Sequence, residues 1–366
     1  MTNNFFDYVL VLSKIKGIKK SEYKSMGKFP IIDQGQNLVT AYSDKEDLVE
    51  NNIPFIVFGD HTRILKYINF PSILSNDGVK VLKPKLNLDS KYLYYQLLNL
   101  KIPNTGYNRH FKYLVENNLI IPSLEVQQKV VSILSSVDEV IQNTDQIIEK
   151  IKQIKKSFIQ NLFSSKTGIN WPMVKLNDVS IKITDGTHRT PKYIGSGIPF
   201  LRINDIQSEK INWERVKYIS EEEHGELIRR CHPEKGDVLL SKNGTIGITK
   251  IVDWERDFSI FVSLCLIKPD ISKISTEYLN VVLGSDYLLS QIKKRSKQGT
   301  VTNLHLEEIR DLNIALPSVD EQLLIAKQYD YLVEKINNEL HYKNKLVQLK
   351  NGLMNDIFNQ KVEVSV

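Results

Sequence analysis

The longest regular pattern of apolar positions in the chain is a heptad. Positions 130, 137, 144, 151 and 158 hold Val, Val, Thr, Ile and Phe, and positions 133, 140, 147 and 154 hold Ile, Val, Ile and Ile. Leu134, Ile141, Ile148 and Leu162 add a third column. This spacing predicts a long helix with a coiled-coil seam widened by one column. Ser123, after Pro122, can cap it, and Gly168 followed by Trp171-Pro172 ends it, so the helix is expected over 123–164. A second stripe, Ile325, Tyr329, Leu332, Ile336, Leu346, Leu353 and Ile357, predicts another helix over 318–358, capped by Ser318. Glu339 and Lys343 make its middle polar, as Thr144 does in the first helix.

The two helices are copies. Ile121-Pro122-Ser123-Leu124-Glu125-Val126-Gln127 returns as Leu316-Pro317-Ser318-Val319-Asp320-Glu321-Gln322, an offset of 195 residues that also carries Gln153, Lys155, Phe163 and Lys166 onto Gln348, Lys350, Phe358 and Lys361. The period is too long for a solenoid and marks a duplicated module, a globular part followed by a long helix. A helix of about 40 residues runs to roughly 60 Å and needs a partner for its stripe. The equal lengths favour antiparallel packing of the two copies, which puts a globular part at each end of a rigid spacer. The alternatives are folding back on its own domain, or dimerisation.

Between the helices the pattern is β-rich. Pro54 to Phe58, Gly78 to Pro84, Val238 to Leu240 and Ile248 to Lys250 read as strands, and the apolar run Phe258 to Ile267 reads as one buried strand. A short helix is expected over Ser90 to Leu98 with Ser90 as its cap, and Tyr278-Leu279-Asn280 echoes it. The organisation is therefore a globular part over 1–120, a long helix within 121–168, a second globular part over 169–315, and a second long helix within 316–366.

Composition narrows the function classes. The 366 residues suit about two domains, and the net charge of +6 fits an anionic partner such as nucleic acid. Cys231 and Cys265, the two cysteines, have no metal-ligand spacing, which suggests a reduced, cytoplasmic chain without structural zinc. The N-terminus lacks the pattern of a signal peptide, and the most apolar run is too short to span a bilayer. Motifs for a phosphate-binding loop, a dinucleotide cradle, an amino-methyltransferase, a zinc protease or a serine hydrolase are missing from the sequence, so the chain does not read as an enzyme.

Candidate chemistry lies instead in four polar clusters beside glycines. They are Gly59-Asp60-His61-Thr62-Arg63, Gly106-Tyr107-Asn108-Arg109-His110, Asp185-Gly186-Thr187-His188-Arg189-Thr190, and Gln298-Gly299-Thr300-Val301-Thr302-Asn303 after Lys293-Lys294-Arg295. Lys242, Asn243 and Thr245 sit on a further turn, a tight strand connection rather than a phosphate cradle. Arg reads guanine, Asn or Gln reads adenine, and Lys, Ser or Thr anchors phosphate. The candidate DNA contacts are His61, Thr62, Arg63, Tyr107, Asn108, Arg109, His110, Thr187, His188, Arg189, Lys242, Asn243, Thr245, Lys294, Gln298, Thr300 and Asn303. Singly, each cluster reads better as a solvated turn; two in each half raise the functional reading.

The chain resembles the specificity subunit of type I restriction–modification systems over its whole length. The resemblance is carried by the two segments 121–127 and 316–322, by the helix ends Lys155 to Phe163 and Lys350 to Phe358, and by motifs in the globular parts. These are Phe58 to Arg63, Gly78 to Leu82, Asp185 to His188, Gly197 to Arg202 and Gly236 to Leu240. The first half opens with Phe5-Phe6-Asp7-Tyr8, a weaker match than Trp171-Pro172-Met173-Val174 in the second. The resemblance implies an α+β fold. Two mixed α/β target-recognition domains are separated by two long helices packed as an antiparallel coiled coil, in a pseudo-twofold internal repeat. It implies that double-stranded DNA is read as an asymmetric bipartite site and that two methyltransferase subunits dock on the helices. The stripe residues Val130, Val137, Ile141, Ile148, Ile151, Phe158, Ile325, Leu332, Ile336, Leu346, Leu353 and Ile357 are the expected spacer and docking positions. No cofactor is expected on this chain. S-adenosylmethionine belongs to the methyltransferases, and ATP with Mg to restriction subunits where these join. A stand-alone DNA-binding protein, or a coiled-coil scaffold without DNA contact, is the alternative.

Overall fold

The computed structural model describes residues 4–12, 16–163, 171–208, 210–295 and 303–364. They form two compact units, one of residues 1–146 with 340–366, the other of 147–339.

In the first unit α1 (Phe5–Tyr8) leads into β1 (Val9–Leu12), β2 (Phe29–Ile32), β3 (Ala41–Ser43), β4 (Val49–Glu50), β5 (Phe55–Gly59), β6 (Leu65–Ile68), β7 (Ser72–Leu74) and β8 (Val79–Pro84). Helices α2 (Ser90–Asn99), α3 (Phe111–Val115) and α4 (Leu124–Leu162) follow. One sheet has the order β1-β8-β5-β6, with antiparallel pairs; the other has the order β3-β2-β7-β4, with β2 and β7 parallel. Strand β5 is buried at every position because the two-residue period of a strand sends its side chains to two cores. Ile56 and Phe58 pack with Tyr92, Leu93 and Leu114 on the helical side, and Phe55 and Val57 pack with Ile32, Ile68 and Leu74 on the other.

The second unit repeats this plan. Its elements are β9 (Met173–Lys175), β10 (Ser180–Asp185), β11 (Ile198–Leu201), α5 (Ile203–Ile206), β12 (Lys217–Ile219), α6 (Glu221–Leu227), β13 (Val238–Ser241), β14 (Thr249–Ile251), β15 (Ser259–Ile260) and β16 (Leu264–Pro269). Then come α7 (Thr276–Leu283), α8 (Asp286–Arg295), α9 (Leu306–Arg310), β17 (Asn313–Ala315) and α10 (Val319–Phe358). The sheet β10-β16-β13-β14 matches β1-β8-β5-β6 strand for strand, and β11 pairs in parallel with β15 as β2 does with β7. Strand β13 divides its side chains as β5 does, Val238 and Leu240 to one core and Leu239 to another.

The long helices run close to their expected bounds, and within each unit the start of one lies along the end of the other. In the first unit Val130 and Leu134 of α4 share a core with Met354 and Phe358 of α10, and Lys343 Nζ pairs with Asp145 at 2.6 Å. In the second unit Phe158 and Leu162 of α4 pack on the core that includes Ile325, and Lys155 Nζ sits 5.2 Å from the centre of the Tyr329 ring. The helices are thus antiparallel. Full burial of a Val or Leu of this kind stabilises the fold by about 1.5–3 kcal/mol.

Three expectations need correction. Asp89, not Ser90, caps α2, because its carboxylate accepts the N–H groups of Lys91 and Tyr92. The run Phe258 to Ile267 is not one strand: it turns at 261–263, giving β15 and β16 to different sheets. The seam residues Val130, Ile148, Ile325 and Ile336 are buried, and Val137, Ile141, Ile151, Phe158, Leu332, Leu346, Leu353 and Ile357 are half-buried. Packing inside each unit occupies that seam, so the four buried residues offer no open surface to a partner.

Candidate nucleic-acid interface

In the first unit two of the loop clusters meet. The ring of Tyr107 stacks on His61 with centroids 4.8 Å apart and planes 8° from parallel. Tyr107 is 86% exposed, carried by a turn in which Gly106 takes φ +81°. Thr62 Oγ donates to the Gln34 carbonyl at 2.5 Å, and the Gln34 side chain accepts the His61 N–H at 3.2 Å. Arg63 has φ +63°, and its guanidinium donates to the Ile102 carbonyl at 3.2 Å, which ties the first cluster to the approach of the second. Asn108 Nδ2 donates to the Thr105 carbonyl at 2.5 Å, and Arg109 is exposed.

His110 is a correction. It is wholly buried, its Nδ1 lies 3.0 Å from the Asp60 carbonyl, and its Nε2 lies 3.3 Å from Thr105 Oγ. The Asp60 carboxylate also accepts the Phe111 N–H at 2.9 Å. His110 therefore holds the loop that presents Tyr107 and is not available to a ligand.

In the second unit three segments converge on a cleft of about 540 Å³ lined by Asp185, His188, Lys242, Asn243, Asn303 and Arg310, with Arg230 at its side. Gly186 lets the chain lie flat on β15, since a Cβ there would strike the Ile260 carbonyl. Thr187 is thereby locked: its N–H donates to the Ile260 carbonyl at 3.1 Å, and its own carbonyl accepts the Val262 N–H at 3.0 Å. At the centre is the Asp185 carboxylate, 3% exposed. Lys242 Nζ lies 3.1 Å from it, His188 Nε2 lies 3.3 Å from it, and Arg230 makes a close ion pair. Asn243 and Asn303 are bridged backbone to backbone, and among the described residues the buried Oδ1 atom of each has no hydrogen-bond partner.

The remaining candidates are scattered. Arg189 pairs at the surface with Glu226 at 2.9 Å, Thr245 is exposed on the turn between Gly244 and Gly247, and Lys294 is exposed on α8. Gln298 and Thr300 lie outside the described residues. Sequence reasoning missed Arg230 and Arg310, which lie near the ends of helices α6 and α9 without the neighbouring glycines that flagged the loops.

The described lining sets Arg230, Lys242 and Arg310 against Asp185 and Glu307, an excess of positive charge. Burial pushes the neighbouring Cys231 thiol up to about 12, which keeps it protonated and inert. Among the described residues no group of His, Cys, Asp or Glu could hold a metal ion, and no helix is long and apolar enough to cross a membrane. Arg, Lys and Asn in a polar cleft suit hydrogen bonding to base edges and phosphates.

Comparison with known proteins agrees with this arrangement. The family model described as the type I restriction modification DNA specificity domain matches residues 9–153 and again 168–349. The specificity subunit of the type I restriction enzyme MjaVIII of Methanocaldococcus jannaschii is 24% identical over 354 residues, covering 88% of this chain and 82% of that one. The specificity subunit of the Escherichia coli enzyme EcoBI is 27% identical over a shorter stretch, 42% of this chain and 34% of the other. The crystal structure of a type I restriction–modification S subunit from M. genitalium superposes with a TM-score of 0.61 at 16% identity, covering 100% of this chain and 96% of that one, a likeness of fold. Two matches to one domain model, falling on the two halves of a duplicated fold, show that the chain belongs to the type I restriction–modification DNA specificity family.

Proposed function

We propose that the chain is the DNA-reading, non-catalytic subunit of a type I restriction–modification complex, and that each unit reads one half of a bipartite duplex site. The observation that carries this is convergence. In each unit, loop clusters far apart in sequence meet at one place, Tyr107 on His61 in the first and Asn303 beside Asn243, Lys242 and Asp185 in the second. Solvated turns have no reason to gather so. The two surfaces differ in chemistry, which supports an asymmetric target. Phosphate contacts from exposed lysines and arginines add salt-dependent affinity.

The helices are the proposed docking surface for two methyltransferase subunits, which bring S-adenosylmethionine; restriction subunits bring ATP and Mg. With the seam occupied, the contact falls on apolar positions left exposed at repeat-related places, Ile147 with Tyr342 and Ile154 with Leu349. Methylation sequencing of cells with and without the chain tests the whole reading. A bipartite adenine motif should vanish with the gene, and identical methylation in both would overturn it.

A further inference from the structure

The second unit holds one arginine in a manner unlike the other candidates. The Asp185 carboxylate is buried at the base of the cleft and receives Lys242 from within and Arg230 from the rim. The Lys242 side chain is 5% exposed, whereas that of Arg230 is 53% exposed, so the lysine serves the carboxylate and the arginine also faces outward. Its segment is anchored as well: the Arg230 N–H donates to the Leu227 carbonyl at 3.3 Å, and its carbonyl accepts Lys182 Nζ at 2.7 Å.

We propose that Arg230, braced by Asp185, reads a guanine in the half-site of the second recognition domain. This rests on the DNA-reading function above. The fixed orientation of the guanidinium chooses a base edge over a phosphate. A phosphate contact needs only a nearby positive charge, whereas the guanine O6 and N7 acceptors need a guanidinium fork fixed in orientation. The buried carboxylate supplies that fixation. Chemistry in the same lining completes a G·C pair. Asn243 and Asn303 line the same cleft, and an amide oxygen accepts from the cytosine N4 amine, the donor a G·C pair shows in the major groove.

The test is methylation sequencing of cells expressing the full chain as wild type, Arg230→Ala or Arg230→Lys. Wild-type methylation of a bipartite motif establishes the underlying reading independently. Both variants should then relax one G·C position in one half-site, with preference falling on the order of 10–100-fold, and leave the other half-site unchanged. An unchanged motif in both overturns the proposal. So does a uniform loss with Arg230→Ala that Arg230→Lys restores, the signature of a phosphate contact. Where methylation is too weak to read, duplexes retained by the co-purified complex from a randomised pool are sequenced. A pool that still demands G·C at every wild-type position overturns the proposal, and a pool relaxed at one supports it.

Discussion

Gln127 holds Asp89 in place: its side-chain oxygen accepts the Asp89 backbone N–H at 2.8 Å, while its amide donates to the carbonyls of Asn87 at 3.0 Å and Pro122 at 2.9 Å. Gln322 does the same for Ser275, with donations to Lys273 and Pro317 at 3.0 Å each. Both glutamines are fully buried and both close the repeated seven-residue motif. The motif is thus a lock between a long helix and the capped N-terminus of α2 or α7. Gln127→Ala or Gln322→Ala strands three backbone groups and should cost about 3 kcal/mol, read as a shift in the denaturation midpoint. A shift below a tenth of that would remove the lock from the account.

Asp185 and Lys242 form a buried pair, 3% and 5% exposed. Asp185→Asn leaves the lysine charge without its buried partner, and a broken pair of this kind costs about 3–5 kcal/mol. The double variant Asp185→Asn with Lys242→Met should recover most of the lost stability in the same melting experiment.

Tyr107 and His110 share a loop and should separate function from stability. Tyr107→Ala touches an exposed ring and should leave the fold within about 0.5 kcal/mol while weakening binding to cognate duplex by about 1–3 kcal/mol, measured by titration. His110→Ala empties a buried, hydrogen-bonded site and should destabilise by about 2–3 kcal/mol.

Burial lowers the pKa of His224 below 6.5, Asp257 opposes the shift, and His232 adds to it. Its Nδ1 lies 2.9 Å from Ser259 Oγ. The fold favours the neutral ring, so this contribution is complete above 6.5 and is lost as the pH falls through the lower folded value. Melting temperature should drop as the pH falls below 6.5, and His224→Gln should flatten that drop. An unchanged slope in the variant would assign the effect to other groups.

Ile154 and Leu349 are 56% and 52% exposed at equivalent places in the repeat. Ile154→Asp or Leu349→Asp should fold normally and lower the co-purified methyltransferase per chain by about half, and the pair together should abolish it. Full retention with both changes would place the docking surface elsewhere.

The long helices were legible because an apolar stripe sustained over about eight turns, as in positions 130 to 158, leaves little else to form. The strands were less so. Phe29-Pro30-Ile31-Ile32 and Ile198-Pro199-Phe200-Leu201 occupy matching places in the two units, yet four residues carry too little periodicity to reveal it. Ser90 and Asp89 are both good capping residues, and only the backbone decides between them. In the candidate interface the glycine-flanked loops were visible, but Arg230 was not. An arginine after a helix is ordinary until tertiary structure sets a buried carboxylate beside it.

The division of the chain into units also orders its biogenesis. Residues 147–339 are contiguous, so the second unit has all its parts once that stretch has left the ribosome. The first unit is assembled from 1–146 and 340–366, and although its recognition domain is made first, its helical support arrives last. Val130 and Leu134 lack the Met354 and Phe358 part of their core throughout that interval. Nascent chains stalled before residue 340 should therefore carry a finished second domain and a first domain that depends on chaperones.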